Sequence, residues 1–442
     1  MPLYECSKKL CHWDNNDRKP ITRLLADEAS RGDRVHRLGQ ILDLLPPKET
    51  CNHLWSAFIA AAYPLIPILH LPTFWQDVDM FWESVSQSHK YGIPDGFLTQ
   101  RPAFLALVLS TLFCGTFSQS QRPEDVDEAK NLSRMSKGLY RSTMQTLSIL
   151  GFPRNATLCS LQAYVICHVP LIRDESERSA SFVSTAFRVG QAMGLHRDPK
   201  HFGVSIAEAE ARRRLWWHIL HKDTRALVSS TASGLPPMSW NSQQHDTAMF
   251  TEMHDLQLST EDLDAGITPY GTTEWITINK NVPILPYSLL GERSDVRQVV
   301  AVARILTTSI MRDILCRHLD VLPWTLAGIR EYEDHVEQTA AQVRGRITRF
   351  ETPIVSSPVT MRPTPNTEQV FEDIRRQSIH AWSLEATPQN RVFITWSSRL
   401  LNLMVEKAYC TLYHPLQKCS DTELWQQIRQ TYVHALPVPS NC

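Results

Sequence analysis

Residues 182–240 read FVSTAFRVGQAMGLHRDPKHFGVSIAEAEARRRLWWHILHKDTRALVSSTASGLPPMSW, and two successive helical patterns lie in this stretch. In the first, apolar residues recur at intervals of three and four over 182–193, and Gly194 follows as a stop signal. The second opens with SIAE at 205–208, a capping box in which the serine oxygen and the glutamate carboxylate bind free amide groups of the first turn. The patterns predict two packed helices, of which the second ends near Ser230.

The second predicted helix carries a carboxylate within an apolar stripe. Asp223 shares a helix face with Trp216, Leu220 and Leu227. An isolated buried charge costs several kcal/mol, so we expect Asp223 to meet an arginine or backbone amides of another helix. The alternative is a solvated acid on a helix whose buried face is turned differently. Arg212–Arg214 lie about 15 Å away along the helix axis, and we interpret them as a solvated helix start.

Helical periodicity continues on both sides of this stretch. Further helices are predicted at Val35–Leu45, from Leu54 onward, at Phe104–Phe117, Leu132–Leu147, Leu161–Val169, Val296–Leu319, Thr325–Phe350 and Trp396–Tyr413. Glycine accounts for 16 of 442 residues, roughly half the usual share of about 7%, which disfavours folds built from many tight hairpins. The predicted fold class is all-α: a large multi-helix domain with irregular loops and no substantial sheet.

Changes in composition predict the domain organisation. The predicted units are a polar tail or linker at 1–41, a helical core at 42–240, a polar connecting segment at 241–295, a second helical half at 296–415 and a C-terminal tail at 416–442. Within the second half, residues 351–367 carry four prolines and are predicted to form a mobile loop.

The charge balance bears on partners. Lysine and arginine number 45 against 46 aspartate and glutamate residues, which gives a net charge of −1. A domain that grips nucleic acid by itself usually shows a clear basic excess, because phosphate neutralisation and counterion release supply most of its affinity. We therefore identify no DNA-binding residue and expect contact with DNA only indirectly.

One uncharged stretch resembles a membrane span but is too short. Its dense apolar part, Ala103–Phe117, has 15 residues, whereas about 20 are needed to cross a bilayer. It is predicted to be a buried core helix, and no membrane partner is expected.

Metal-binding and catalytic patterns are missing from the sequence. None of the ten cysteines forms a Cys-x-x-Cys pair, although structural zinc sites bring ligands close together in sequence. His218 and His221 could face the same way on a helix, but nothing nominates a third and a fourth ligand. The sequence predicts no metal site, no cofactor and no catalytic residue, and it favours reduced thiols in an intracellular compartment.

An ordered set of short motifs gives the chain a family resemblance. The set consists of His70, Pro72 and Phe74, then Gly194 and His196, then Arg212, Arg213, Arg214, Trp216, Trp217 and Asp223, and finally Gly234 and Pro236. Their order and spacing, within blocks that extend over residues 42–415, resemble the fungal-specific transcription factor domain. That domain is the large helical regulatory region downstream of six-cysteine binuclear zinc clusters in fungal regulators. The resemblance implies structural roles for these residues.

The resemblance also implies a function. It implies a nuclear, non-enzymatic regulator of RNA polymerase II transcription, with a metabolic gene cluster as its target. Partners would be the transcription machinery or co-regulators and a small-molecule effector. Dimers are compatible with the family, although the seven-residue apolar spacing over 329–350 favours an ordinary amphipathic helix over a coiled coil.

Two features depart from the family pattern. Leu235 stands where the family often has arginine. The second departure is larger: the zinc cluster is absent, because Cys6, Cys11 and His12 cannot supply its six cysteines. Zinc, which the family's DNA-binding cluster requires, is therefore not expected here. DNA would be reached indirectly or through a missing N-terminal cluster.

Three alternatives stay open at this point. The chain could be a stand-alone ligand-binding or adaptor protein that acts through a DNA-binding partner. It could be a truncated gene model of a full zinc-cluster regulator, which translation of the genomic sequence upstream of Met1 would reveal. It could also be an all-α enzyme, which would need a deep polar pocket with convergent acids and bases.

Overall fold

The computed structural model describes residues 28–86, 96–121, 125–170, 177–229, 245–257, 276–277, 283–284, 294–319, 324–350, 367–379 and 390–413. The described part contains thirteen α-helices: α1 Glu28–Leu42, α2 Lys48–Ala57, α3 Leu71–Ser86, α4 Phe97–Gln100, α5 Ala103–Ser120, α6 Val126–Ile149, α7 Leu158–Cys167, α8 Glu177–Ala192, α9 Ile206–Ser229, α10 Val296–His318, α11 Leu326–Phe350, α12 Thr367–Ile379 and α13 Arg391–Tyr413. A π-helical turn spans Phe58–Ala62, and 3-10 turns span Tyr63–Leu65, Pro199–His201 and Asp255–Gln257.

Extended pairing is minimal in the described residues. Strand β1 (Ile276–Thr277) pairs antiparallel with β2 (Pro283–Ile284), and Met253 forms an isolated bridge with Ser294. The all-α prediction is confirmed.

Helix α5 is the centre of the larger core. It is apolar on all sides, as expected of a helix surrounded by protein, and it packs against α2, α6 and α7. Its 18 residues are long and apolar enough to span a membrane, but 78% of that stretch is buried within the fold. A Cβ atom on Gly115 would lie 2.0 Å from the Leu54 carbonyl oxygen, so glycine lets α2 and α5 approach closely.

Helices α10, α11 and α13 form the second half of the molecule. Their apolar faces enclose two smaller clusters of buried side chains. Ile329, Val336 and Val343, which recur every seven residues on α11, are all buried inside the chain. The seven-residue spacing thus serves an ordinary amphipathic helix packed within one chain.

Helix α12 returns to the first core from far along the sequence. The Phe371 ring stacks on Trp55 at 6.4 Å between ring centroids, and Trp75 Nε1 donates a hydrogen bond to Ser378 Oγ at 2.9 Å. Neither α12 nor its partner α3 was among the predicted helices. Both helices are amphipathic, so the apolar periodicity that would have identified them is present in the sequence.

The start of α9 matches the sequence pattern in part. Ser205 Oγ accepts a hydrogen bond from the Glu208 amide at 3.3 Å, as the capping box predicts. The Glu208 carboxylate instead pairs with Arg212 one turn later, at 2.8 Å. The helix ends at Ser229, one residue before the predicted end.

The predicted division into domains stays a prediction. Residues 1–27, 351–366 and 414–442 lie outside the described residues. Most of the predicted N-terminal tail, nearly all of the predicted mobile loop and the whole predicted C-terminal tail therefore lie outside them too. Residues 245–257, from the predicted polar connecting segment, are described and mostly buried. They run along α9, where the motif residues lie.

Candidate functional site

Two of the three motif arginines of α9, Arg213 and Arg214, are buried and Arg212 is half-buried, which corrects their interpretation as a solvated helix start. Arg214 is 0% exposed, Arg213 7%, and the Arg212 side chain 13%. The sequence pattern misled because acidic residues on the same helix are typical of a solvated surface. In the fold, carboxylates from other segments come into contact with two of these guanidinium groups.

Arg214 joins three segments that are far apart in sequence. Its Nη2 lies 2.7 Å from Asp255 Oδ1, and its Nη1 donates a hydrogen bond to the Leu69 carbonyl oxygen at 3.2 Å. The other oxygen of Asp255 accepts a hydrogen bond from the Leu71 amide at 3.0 Å, at the start of α3. One buried ion pair therefore fixes α9, the turn before α3 and the 3-10 turn at Asp255–Gln257 in one arrangement.

The charge state of Asp255 follows from these contacts. Burial raises the pKa of this carboxyl, but the Arg214 guanidinium and the Leu71 amide outweigh burial and bring the pKa below its ordinary value. Asp255 is therefore ionised at neutral pH. Removing Arg214 would leave this carboxylate buried without its counter-ion.

Arg213 makes a second, bidentate ion pair. Its Nε and Nη2 donate to the two carboxylate oxygens of Asp198 at 3.1 and 2.8 Å. The same carboxylate accepts hydrogen bonds from the amides of Lys200 and Ala248, and Glu210 accepts one from the amide of Thr251. These contacts attach residues 245–257 along the N-terminal half of α9.

Trp216 and Trp217 fill the core beside these ion pairs. Trp216 packs against Phe187 at 5.4 Å and Trp217 against His245 at 5.2 Å between ring centroids. Trp217 Nε1 also donates a hydrogen bond to the Ala248 carbonyl oxygen at 2.9 Å. The tryptophans thus contribute packing and one more attachment for residues 245–257.

Two of the earlier motif residues lie around a cavity of about 230 Å³ between α3, α5, α7 and α9, which we call the first cavity. His70 and Phe74 line it together with Arg212. Its charged side chains are paired: Arg101 with Asp77 at 2.5 Å and Arg212 with Glu208 at 2.8 Å. Pro72, in the first turn of α3, is not part of the lining.

The remaining motif residues have separate positions. Gly194 follows α8 with a φ of 74°, the left-handed conformation that glycine favours at a helix end. The His196 ring lies 6.2 Å from Trp216. Gly234 and Pro236 lie outside the described residues.

Asp223 is 5% exposed, so the solvated-acid alternative is wrong. Its charge acts on Cys316 of α10. Burial first, and then the Asp313 and Asp223 carboxylates, raise the pKa of that thiol to about 11, although Arg312 opposes the shift. Asp223 has a polar or electrostatic partner, but whether this is an arginine or backbone amides stays a prediction.

Zinc of the kind that the family's DNA-binding clusters hold does not fit the described residues. No group of three or more His, Cys, Asp or Glu residues in these ranges could hold a metal ion. Among the described cysteines, Cys51, Cys114, Cys159 and Cys167 are buried. Burial raises the pKa of Cys51 to about 12, so its thiol is not readily converted into the thiolate that zinc requires.

Comparison with known proteins identifies several relatives. The transcription factor macR of Penicillium terrestre is 29% identical over 281 residues, which are 62% of this chain and 30% of that protein. The transcription factor yanR of Aspergillus niger is 33% identical over 204 residues, 45% of this chain and 24% of that protein. The pyriculol/pyriculariol biosynthesis cluster transcription factor 1 of Pyricularia oryzae is 28% identical over 234 residues, 52% of this chain and 29% of that protein.

This chain therefore spans less than a third of the length of these relatives. No solved structure matches it. The family described as fungal specific transcription factor domain matches residues 55–307, more than half of the 442 residues. The chain belongs to the fungal-specific transcription factor domain family, a family of transcription regulators and not of enzymes.

Proposed function

We propose that this chain is the regulatory and interaction domain of a nuclear fungal regulator of RNA polymerase II transcription. The family match over residues 55–307 is the observation that carries the proposal. Relatives named as regulators of the pyriculol/pyriculariol and aurofusarin clusters support a metabolic gene cluster as the target. Nuclear localisation is part of the same proposal.

The arrangement of the motif residues supports a scaffold role. The buried ion pairs of Arg213 and Arg214 hold segments of the chain together. Neither guanidinium faces solvent, so neither is available to contact phosphate groups of DNA. We therefore propose that the domain acts on promoters through co-regulators or the transcription machinery, and reaches DNA indirectly.

A tethering experiment tests this function. The full chain is fused to a heterologous DNA-binding domain, and transcription of a reporter that carries the matching site is measured. We expect activation or repression relative to the DNA-binding domain alone. The Arg214→Met variant should lose this effect, because it breaks a buried ion pair on which the scaffold depends.

Deletion of the gene is the second arm. We expect a coherent set of transcripts, enriched in one biosynthetic cluster, to change in the deletion strain. If the tethered chain neither activates nor represses and the deletion leaves the transcriptome unchanged, the proposed function is wrong. Chromatin immunoprecipitation of the untethered chain decides between the regulator and the adaptor. If the chain is found at promoters only when a separate zinc-cluster protein is present, the chain is an adaptor and not a self-contained regulator.

A further inference from the structure

A second cavity of about 420 Å³ lies between α9, α10 and α13. Five basic side chains line it: His221, Lys222 and Arg225 from α9, Arg304 from α10 and Lys407 from α13. We call it the basic cavity. Its volume lies in the range of about 300–1,000 Å³ that is typical of small-molecule sites.

The basic cavity has no acidic wall in the described part of the chain. Its lining there includes no Asp or Glu. Nor does any carboxylate in the described ranges lie within 4.0 Å of the side-chain nitrogens of Lys222, Arg225, Arg304 or Lys407. The first cavity differs, because both of its arginines are paired with acids.

The deepest cation is held by neutral acceptors. Arg304 donates a hydrogen bond to the Leu65 carbonyl oxygen at 2.8 Å, and its Nη2 lies 3.2 Å from His221 Nε2. An arginine can only donate, so His221 Nε2 accepts and the imidazole is neutral, with its proton on Nδ1. That proton points to Thr308 Oγ1 at 3.1 Å. This network orients Arg304 without neutralising its charge.

The cations of this cluster lower one another's pKa values. Burial lowers the pKa of Lys222 well below its ordinary value, and the nearby Arg225 and Arg304 guanidinium groups lower it further. Burial, followed by the charge of Arg225, lowers the pKa of Arg304 to about 10. An anion bound among these groups would reduce the repulsion between them, so anion binding at this cluster is electrostatically favourable.

Apart from Thr224 and Thr308, the rest of the lining is apolar. Met311, Trp396, Leu403 and Met404 lie beside the cations, and Trp396 and Leu403 are 41% and 66% exposed although both are large apolar residues. Inorganic phosphate would leave this wall uncovered, whereas an apolar molecule would leave the cations unpaired. Only an occupant with both parts satisfies the two surfaces.

We propose that the basic cavity binds a small organic acid, in which an apolar body carries a carboxylate or a comparable anionic group. The acid head pairs with Lys222, Arg225 and Lys407, and the apolar body covers Trp396 and Leu403. As an effector site, the cavity rests on the proposed regulatory function. Binding itself does not depend on that function and is measured on the purified chain.

Matched probes test the chemistry by isothermal titration calorimetry with the full chain. The probe is 1-naphthaleneacetate, and its control is 1-naphthaleneacetamide, which has nearly the same shape and no charge. We expect the acid to bind at least about tenfold more tightly than the amide, because a charge-assisted contact is lost with the amide. Inorganic phosphate should bind more weakly than the acid. Equal affinities for acid and amide, tighter binding of phosphate, or no binding of the acid would each overturn the proposal.

Variants at the rim of the cavity test its position. Arg225→Gln and Lys407→Gln should each weaken binding of 1-naphthaleneacetate about tenfold, since each removes one cation. Arg399→Gln is the matched control, because Arg399 is exposed on α13 and does not line the cavity. Far-ultraviolet circular dichroism and thermal midpoints show whether each variant is folded. If Arg399→Gln weakens binding as much as the other two, or if those two bind normally, the acid does not bind in this cavity.

The tethered reporter separates the two proposals. The double variant Arg225→Gln/Lys407→Gln should lose binding of the acid and still fold. A reporter effect of the wild-type chain without any binding of the acid would leave the proposed function standing and overturn the acid site. Binding of the acid without any reporter or transcript effect would leave the acid site standing and overturn the proposed function.

Discussion

The two halves of α9 use basic residues in opposite ways. In the N-terminal half, Arg212–Arg214 all pair with carboxylates, two of which, Asp198 and Asp255, come from other segments of the chain. In the C-terminal half, Lys222 and Arg225 face Arg304 and no described acid. A basic side chain on α9 therefore stabilises the fold where a carboxylate pairs with it. It opposes folding where no carboxylate lies beside it. An unpaired cation cluster of this kind indicates a place where something else supplies the charge.

The largest expected change in stability comes from the N-terminal half of α9, where the arginines are paired with carboxylates. Arg214→Met should lower the free energy of unfolding by about 3–5 kcal/mol, because the Asp255 carboxylate stays buried without its partner. Arg212→Met should lower it by only about 0.5 kcal/mol, since the pair with Glu208 is a partly exposed contact between successive turns. Urea unfolding curves followed by circular dichroism measure both.

A double variant checks the reason for this ranking. If the cost of Arg214→Met comes from the stranded carboxylate, then adding Asp255→Asn should cost less than the sum of the two single changes. Equal losses for Arg214→Met and Arg212→Met, or strict additivity in the double variant, would contradict the buried ion pair as the cause.

A moderate loss of stability is expected when the pH is lowered. Burial lowers the pKa of His218 and of His245 from 6.5 to about 3, helped by the charge of Arg304 for His218 and of Arg312 for His245. Below pH 6.5 these histidines become protonated in the unfolded chain, whereas in the folded chain they stay neutral until the pH approaches 3. Stability is therefore full above pH 6.5 and falls as the pH drops, by about 1.4 kcal/mol per pH unit for each histidine.

Chemical unfolding at pH 7 and at about pH 5.5 measures this slope. His245→Phe keeps an aromatic ring against Trp217 and should remove one histidine's share of the slope. His36→Gln, on the exposed surface of α1, is the control for the loss of a histidine side chain. A slope that His245→Phe does not alter would show that this histidine is not the source.

The sequence predicted α9 well because its signals are local. The capping serine at 205 and the apolar periodicity that follows it define the helix start and extent within a residue or two. Burial of Asp223 was also predictable, since the stripe around it is regular. Such features need only the neighbouring residues, and those are visible in the sequence.

The partners of the arginines were not predictable in the same way. Asp255 belongs to a stretch whose polar composition resembles a loop, yet it supplies the counter-ion of Arg214. The basic cavity likewise brings Lys222 together with Arg304 and Lys407, from helices that begin about 70 or more residues later in the chain. Charge pairing across such separations depends on how the helices pack, which periodicity does not determine.

The smallest effect, and the one that most sharply separates the two halves of α9, concerns Lys222. Lys222→Met removes a partly buried cation from a repulsive cluster and leaves an apolar side chain of similar length. We expect the free energy of unfolding to rise by about 1 kcal/mol, opposite in sign to Arg214→Met, because an unpaired desolvated charge opposes folding. Lys200→Met, at an exposed turn, should change nothing measurable.

The same Lys222→Met variant should bind 1-naphthaleneacetate less tightly than the wild-type chain. A gain in stability with a loss of affinity is the signature of a residue retained for binding at the expense of the fold. If Lys222→Met instead destabilises the chain, Lys222 has a stabilising partner and belongs with Arg214. The contrast between the two halves of α9 would then rest on Arg225 alone, which lines the cavity at its rim.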